Sequence, residues 1–144
     1  MNKREFKDRV YDELAKITKA MANPHRLEII ELLAQGDYSV EQISLQTNLT
    51  IANASQHLQV LKTAQLVAVT RNGNFINYRL ANVNVFKAWK GFRDLGIERI
   101  ASVDRLVKDF RKSKFALEAV TIDELVQKIE SGKVTILDVR PEIE

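Results

Sequence analysis

The chain has 144 residues, of which 45% are hydrophobic and 28% charged, a composition typical of a folded globular domain. No apolar run is long enough to span a membrane, and the charged N-terminus lacks the apolar region of a signal peptide. The absence of cysteine excludes disulfides, thiolate metal sites and a cysteine nucleophile within these residues. We therefore expect a cytoplasmic protein.

Positive charge is concentrated in the first part of the chain. Residues 1–118 contain nineteen Lys or Arg and thirteen Asp or Glu, whereas residues 119–144 contain three and six. A basic segment followed by an acidic one indicates two units with different partners. We predict one domain over residues 1–116 and the beginning of a second over residues 117–144.

Helical periodicity begins at the N-terminus. One apolar stripe, at spacings of three and four, consists of Phe6, Val10, Leu14, Ile17 and Met21. Asn23 and Pro24 predict the start of a second helix, which we expect Gly36 to end.

Two shorter helices with a brief connection follow. Ser39 and Gln42 form a capping box for a helix that runs to about Gln46, and Thr50 caps the next helix. The polar face of this fourth helix contains Asn53, Gln56, His57, Gln59 and Lys62.

The apolar period then changes from that of a helix to that of a strand. Alternating residues predict two strands joined by a turn at residues 72–73, because Asn-Gly is a strong hairpin signal. The expected register places Val69 opposite Ile76 and Val67 opposite Tyr78.

A long helical pattern, weakened at Gly91 and Gly96, follows the hairpin. Its apolar residues are Phe86, Trp89, Phe92, Ile100, Val103, Val107 and Phe110. We expect Trp89 and Phe92 to form a dimer core with the first helix rather than a ligand pocket. Beyond this helix, a capping box at residues 121–124 predicts a short helix closed by Gly132, and residues 134–139 predict a buried strand.

This order of elements predicts a mainly α fold of the α+β class, a winged helix-turn-helix with long N- and C-terminal dimerisation helices. The fourth helix would lie in the major groove of double-stranded DNA, where Asn and Gln amides match the donor and acceptor of adenine. The predicted DNA-binding residues are Thr50, Asn53, Ser55, Gln56, His57, Gln59, Lys62, Arg71, Asn74 and Arg79. The predicted homodimer residues are Phe6, Val10, Leu14, Ile17, Phe86, Trp89, Phe92, Ile100 and Val103. No catalytic residue, metal ligand or cofactor is predicted.

Residues 49–67, LTIANASQHLQVLKTAQLV, resemble the ArsR family of bacterial winged-helix repressors. ANPHRLEIIELLAQG before them and RNGNFINYRL after them extend the resemblance over roughly residues 8–112. It implies a homodimeric repressor that binds operator DNA and releases it when an effector binds. The family pattern places Ser55, Gln56 and His57 on the recognition helix. It places Arg71, Gly73 and Tyr78 on the wing.

Several positions depart from the family pattern. Asn82, Asn84 and Lys87 stand where some members carry metal ligands, which disfavours metal sensing and leaves the effector unidentified. Gln65 stands where the family often has a glycine, and a left-handed Gln costs about 1 kcal/mol, so we expect a differently built turn. Asn74 replaces a frequent wing arginine beside a nearly neutral fourth helix, which predicts contact with only a few phosphates per subunit.

The final residues 134–144, VTILDVRPEIE, resemble the start of a rhodanese domain. The alternative function is therefore a sulfurtransferase fusion whose catalytic cysteine loop lies beyond this segment. A third alternative is a winged-helix protein–protein module that does not bind DNA. Two local alternatives also stay open: His57 is a packing residue rather than a DNA contact, and the Asn53–Gln56–Gln59 face is only solvated.

Overall fold

The structure is a computed structural model that describes residues 1–118 and 122–132. The described elements are α1 (Lys3–Met21), α2 (Pro24–Leu33), α3 (Val40–Thr47), α4 (Ile51–Thr63), β1 (Val67–Asn72), β2 (Phe75–Leu80), α5 (Val83–Arg99), α6 (Ala101–Glu118) and α7 (Ile122–Glu130). Within these two ranges the fold is mostly helical with one two-stranded sheet, as the sequence predicts. No helix within the described ranges combines the length and the apolar character needed to cross a membrane.

Side-chain caps fix where the central helices begin. The Ser39 hydroxyl accepts a hydrogen bond from the Gln42 backbone N–H at 3.2 Å, and the Gln42 side chain accepts one from the Ser39 N–H at 2.9 Å. Asn23 and Thr50 cap α2 and α4 in the predicted way. These bonds satisfy N–H groups that have no partner inside a helix, so the predicted starts are confirmed. The ends differ slightly, because α2 ends at Leu33 rather than at Gly36.

The core lies where α2, α3 and α4 meet. Its completely buried large side chains are Ile29, Ile30, Ile43, Leu58 and Leu61. By its contacts the chain divides into two compact units, Met1–Leu95 and Gly96–Glu144. The winged-helix elements from α1 to β2 belong to the first unit. The predicted domain boundary at residue 116 lies within the second unit and stays a prediction.

The hairpin forms, but its predicted register is wrong by two residues. Val69 pairs with Tyr78 and Val67 with Leu80, because the turn is centred on residues 73–74 rather than 72–73. Gly73 has φ 63° and is the first central residue of the turn. A positive φ at that position alone is the pattern of a type II′ turn, whereas the expected Asn-Gly turn needs positive φ at both central residues.

A third backbone segment flanks the hairpin. The Tyr38 N–H donates to the Tyr78 carbonyl at 3.1 Å, and the Tyr78 N–H donates to the Tyr38 carbonyl at 2.8 Å. Since β2 pairs with β1 on its other edge, this bridge fastens the hairpin to the connection between α2 and α3. A single bridge leaves no alternating pattern in the sequence, so hydrophobic periodicity does not predict it.

The long helix predicted after the hairpin is two helices in the structure. Gly91 and Gly96 lie inside α5, and the break falls at Ile100 between α5 and α6. Glycine lowers helix stability by about 1 kcal/mol, which helical hydrogen bonding can outweigh. The Ile100 carbonyl accepts bonds from the N–H groups of Val103 and Asp104, so this residue directly precedes the first turn of α6.

The turn after α4 also differs from its prediction. Gln65 has φ 63° and therefore does adopt the left-handed conformation. Its N–H donates to the Lys62 carbonyl at 3.0 Å and the Leu66 N–H donates to the Leu61 carbonyl at 2.9 Å. These two bonds form a Schellman motif, and burial of both leucines in the core accompanies it. Burial of the two leucines offsets the cost of the left-handed conformation of Gln65.

The C-terminal predictions are tested only in part. The predicted short helix is present as α7, and Gly132 after it has φ 69°. The predicted capping residue Thr121 and the predicted strand over residues 134–139 lie outside the described residues.

Candidate nucleic-acid interface

Helix α4 is fixed by burial of one face and by a cap at its start. Ala54, Leu58 and Leu61 have no exposed surface, and they anchor the helix to α2 and α3. The Thr50 hydroxyl accepts a hydrogen bond from the Asn53 N–H at 3.2 Å, so this side chain serves as the N-cap. The short connection after α3 turns at Asn48, which has φ 55°. The helix is therefore held rigidly with its other face outward.

The outward face of α4 carries amides. Asn53, Gln56 and Gln59 are spaced three residues apart, so they are neighbours on the helix surface, and all three are exposed. Ser55 and Lys62 are exposed as well. An amide that offers both a donor and an acceptor can pair with a base edge in the major groove. The structure thus leaves the predicted recognition residues of α4 accessible, with His57 as the exception.

His57 lies at a junction of three helices. The Arg26 Nη1 atom lies 3.4 Å from the His57 Nδ1 atom, and the His25 and His57 ring centroids are 5.5 Å apart. Arginine has only donors, so a hydrogen bond at this contact uses a lone pair on Nδ1, which a neutral imidazole offers in its Nε2–H tautomer. Burial lowers the pKa of His57, and the positive charges of Arg26 and His25 lower it further. The half-buried position favours the packing alternative for His57.

Arg26 is a further residue of this junction, and sequence reasoning did not single it out. Its Nε donates to the Ala20 carbonyl and its Nη2 donates to the Lys19 carbonyl at 3.3 Å, at the C-terminal end of α1. Arg26 therefore joins the end of α1 to the start of α2 and to α4. An arginine in the first turn of a helix carries no local signal of such a role, because its partners come from other elements.

The two predicted arginines of the wing lie on opposite faces of the hairpin. Arg71 shares a face with Val69 and with buried Val67, whereas Arg79 pairs with Ala68 on the other face. The Arg79 Nε donates to the Thr70 hydroxyl at 3.3 Å. Both arginines and Asn74 are exposed.

The predicted dimer residues fall into two groups. Trp89 and Phe86 pack within the protomer: Trp89 is 8% exposed, its ring stacks on Phe86 with centroids 6.1 Å apart, and Arg93 lies 5.1 Å above it. Trp89 therefore packs largely against its own protomer, and its place in a dimer core stays a prediction. The accessible residues are Phe6, Val10, Leu14, Ile17, Phe92 and Ile100, together with half-buried Val103.

An open groove of about 850 Å³ runs along the apolar stripe of α1. Val10, Leu14 and Ile17 line one side, and Val85 and Ala88 of α5 line another. Exposed apolar walls of this kind make the groove a candidate interaction site. Residues 1–118 and 122–132 contain no group of three or more His, Asp or Glu side chains placed to hold a metal ion.

A comparison with models of protein families shows which family shares this architecture. The model of bacterial regulatory proteins of the arsR family matches residues 23–69, from the cap of α2 into the first strand of the wing. The transcriptional repressor SdpR of Bacillus subtilis is 36% identical over 64 residues, which cover 44% of this chain and 71% of SdpR. The chain belongs to the ArsR family.

Two further similarities cover a larger share of this ArsR-family chain. The HTH-type transcriptional regulator Rv0324 of Mycobacterium tuberculosis is 38% identical over 130 residues, 90% of the chain and 57% of that regulator. The homodimeric winged helix-turn-helix DNA-binding domain of Mb0332 from Mycobacterium bovis superimposes with a TM-score of 0.65 and 34% identity, covering 71% of this chain and 93% of that domain. The chain therefore spans less than two-thirds of the length of Rv0324.

Proposed function

We propose that this ArsR-family protein is a homodimeric transcriptional repressor that binds an inverted-repeat operator in double-stranded DNA. The observation that carries the proposal is α4, which is anchored by completely buried residues on one side and presents exposed amides on the other. A helix held in this way can enter the major groove as a rigid body. A repressor of this kind meets its operator in the cytoplasm, where the bacterial chromosome lies.

The exposed stripe of α1 supports the proposed dimer. Phe6, Val10, Leu14 and Ile17 remain between 37% and 52% exposed in the protomer. Burying this stripe against a second copy removes apolar surface from water, at about 25 cal/mol for each Å². A symmetric dimer also presents two copies of α4 to half-sites about one helical turn apart, which raises specificity.

Selection of duplexes from a random-sequence pool, followed by footprinting, tests the proposal. We expect an inverted repeat to be protected. Gln56→Ala and Asn53→Ala should each weaken binding to the selected duplex by about tenfold, since a good base contact is worth about 1–3 kcal/mol. Gln35→Ala, which removes an exposed amide outside α4, is the matched control. If the folded protein shifts no duplex, the alternative of a protein–protein module replaces this proposal.

We also propose, as a second step, that residues 117–144 begin a rhodanese-like domain. The support is the sequence resemblance of residues 134–144, preceded by α7 and its left-handed Gly132. The chain has no cysteine, so the proposal gives these residues no sulfurtransferase activity of their own. Should the gene continue beyond Glu144, we expect a cysteine-containing loop, and its absence would contradict the proposal.

A further inference from the structure

A second groove, of about 740 Å³, places lysines beside the outward amides of α4. Lys16 and Lys19 of α1 line one side of it, and Gln56, Gln59 and Val60 of α4 line the other. Both helices belong to the unit Met1–Leu95. Sequence patterns assign no role to these lysines, because they lie about 40 residues from the amides along the chain.

The charge of α4 alone does not match its proposed ligand. Lys62 is the only Lys, Arg, Asp or Glu of this helix, and it lies about 120° around the helix axis from Gln56. A helix in the major groove lies between two rows of phosphates, and most protein–DNA hydrogen bonds go to the phosphates and sugars. Cations close to Gln56 must therefore come from another element, and Lys16 and Lys19 are in that position.

Both lysines can exchange their present surroundings for a phosphate. The Lys16 Nζ lies 2.6 Å from the Glu13 carboxylate, but this pair is largely exposed, and such pairs contribute little stability. In the part of the chain that the structure describes, no carboxylate lies within pairing distance of the Lys19 ammonium. Arg26 holds the Lys19 and Ala20 carbonyls, so the backbone that carries the lysines is fixed while their side chains remain exposed.

We propose that Lys16 and Lys19 bind the DNA phosphates that flank the major groove entered by α4. This inference rests on the proposed DNA-binding function. Ammonium groups on flexible stems suit this role, since they neutralise phosphates as point charges without reading sequence. The last turn of α1 then acts as a clamp beside the recognition helix.

The test is the dependence of DNA affinity on salt concentration, measured by fluorescence anisotropy. The duplex selected with the unaltered protein and a scrambled duplex serve as probes. In Lys16→Gln/Lys19→Gln, we expect the slope of log K against log salt concentration to fall by about 0.9 for each phosphate that the variant no longer neutralises. Affinity for both duplexes should fall by the same factor, because phosphate contacts carry no sequence information.

Matched variants separate phosphate binding from other effects. Lys3→Gln/Lys7→Gln removes the same charge from the same helix about 20 Å away, and it should keep the original slope. Lys16→Arg/Lys19→Arg should keep it as well. A role restricted to stabilising the C-terminal end of α1 would change the melting temperature of the Gln variant and leave its salt slope unchanged.

Two outcomes overturn the inference, and they are distinguishable. If the unaltered protein binds its duplex and Lys16→Gln/Lys19→Gln binds it with the same slope, the lysines do not contact phosphates and the proposed function stands. If the unaltered folded protein binds neither duplex at any salt concentration, the proposed function fails and this inference fails with it.

Discussion

Helices α1 and α4 line the same groove, yet they relate to the core in opposite ways. Helix α4 completely buries Ala54, Leu58 and Leu61 and leaves its amides outward. Helix α1 buries only the end of its apolar stripe, at Met21, and leaves the rest between 37% and 52% exposed. Exposed amides are already satisfied by water and can exchange that water for base edges. Exposed apolar side chains gain only when another surface covers them. The two helices therefore point to two partners: DNA for α4 and a second copy for α1.

The largest expected effect comes from removing a buried side chain of α4. Leu58→Ala should lower the free energy of unfolding by about 2–5 kcal/mol, because Leu58 is completely buried and its truncation leaves a cavity. Urea denaturation followed by circular dichroism measures this change. Val60 of the same helix is 41% exposed, so Val60→Ala should lower the free energy of unfolding far less. Equal losses would mean that α4 is not anchored in the way described.

The corresponding change in α1 should act on association instead. Leu14→Glu places a carboxylate in the exposed stripe, so we expect the dimer dissociation constant to rise by about tenfold or more, with little change in helical content. Sedimentation equilibrium measures the shift. Gln35→Glu introduces the same charge at an exposed position outside α1 and is the control. A Leu14→Glu variant that dimerises like the unaltered protein would remove α1 from the interface.

What the sequence predicts well and what it predicts badly also follow from this contrast. Caps and amphipathic stripes are local patterns, so the starts of α2, α3 and α4 and the stripe of α1 could all be predicted. Contacts between distant elements leave no such pattern. The Tyr38–Tyr78 bridge, the junction at Arg26 and the burial of Trp89 against its own protomer were therefore not predictable from periodicity.

The same limit applies within the candidate site: the direction of a side chain could be predicted where its own helix dictates it, but not where other helices surround it. The exposed amides of α4 could be predicted because burial of the opposite face dictates their direction. The half-buried position of His57 depends on α1 and α2, which pack beside it, and the lysines of α1 depend on the same packing. The predicted register of the wing was wrong because the turn lies one residue further along the chain, and such a shift changes every cross-strand pair.

The junction at His57 predicts a pH dependence of stability. Because the pKa of His57 lies below its ordinary value of 6.5, the unfolded chain binds this proton more readily than the folded one as pH falls. The contribution of this group to the free energy of unfolding should be unchanged above that value and should decline below it. His57→Gln should flatten the decline in denaturation experiments between about pH 7.5 and pH 5.

His25 provides the control for this pH dependence. Burial and Arg26 lower the pKa of His57 more than His25 does, so His25→Gln should leave most of the decline in place. If His57→Gln and the unaltered protein lose stability in parallel as pH falls, the acid sensitivity arises elsewhere. The contact between the Arg26 guanidinium and a neutral His57 would then contribute little to the junction.

The smallest expected effect is a gain in stability at the turn that joins α4 to the wing. Gln65→Gly should raise the free energy of unfolding by about 0.5–1 kcal/mol, since glycine adopts the left-handed conformation without the steric cost that glutamine bears. Gln59→Gly, inside α4, should lower it by about 1 kcal/mol. A loss of stability in Gln65→Gly would mean that the Gln65 side chain contributes more than its backbone costs. Because Gln65 also lines the groove along α1, measuring the variant as monomer and as dimer would assign that contribution to the protomer or to the interface.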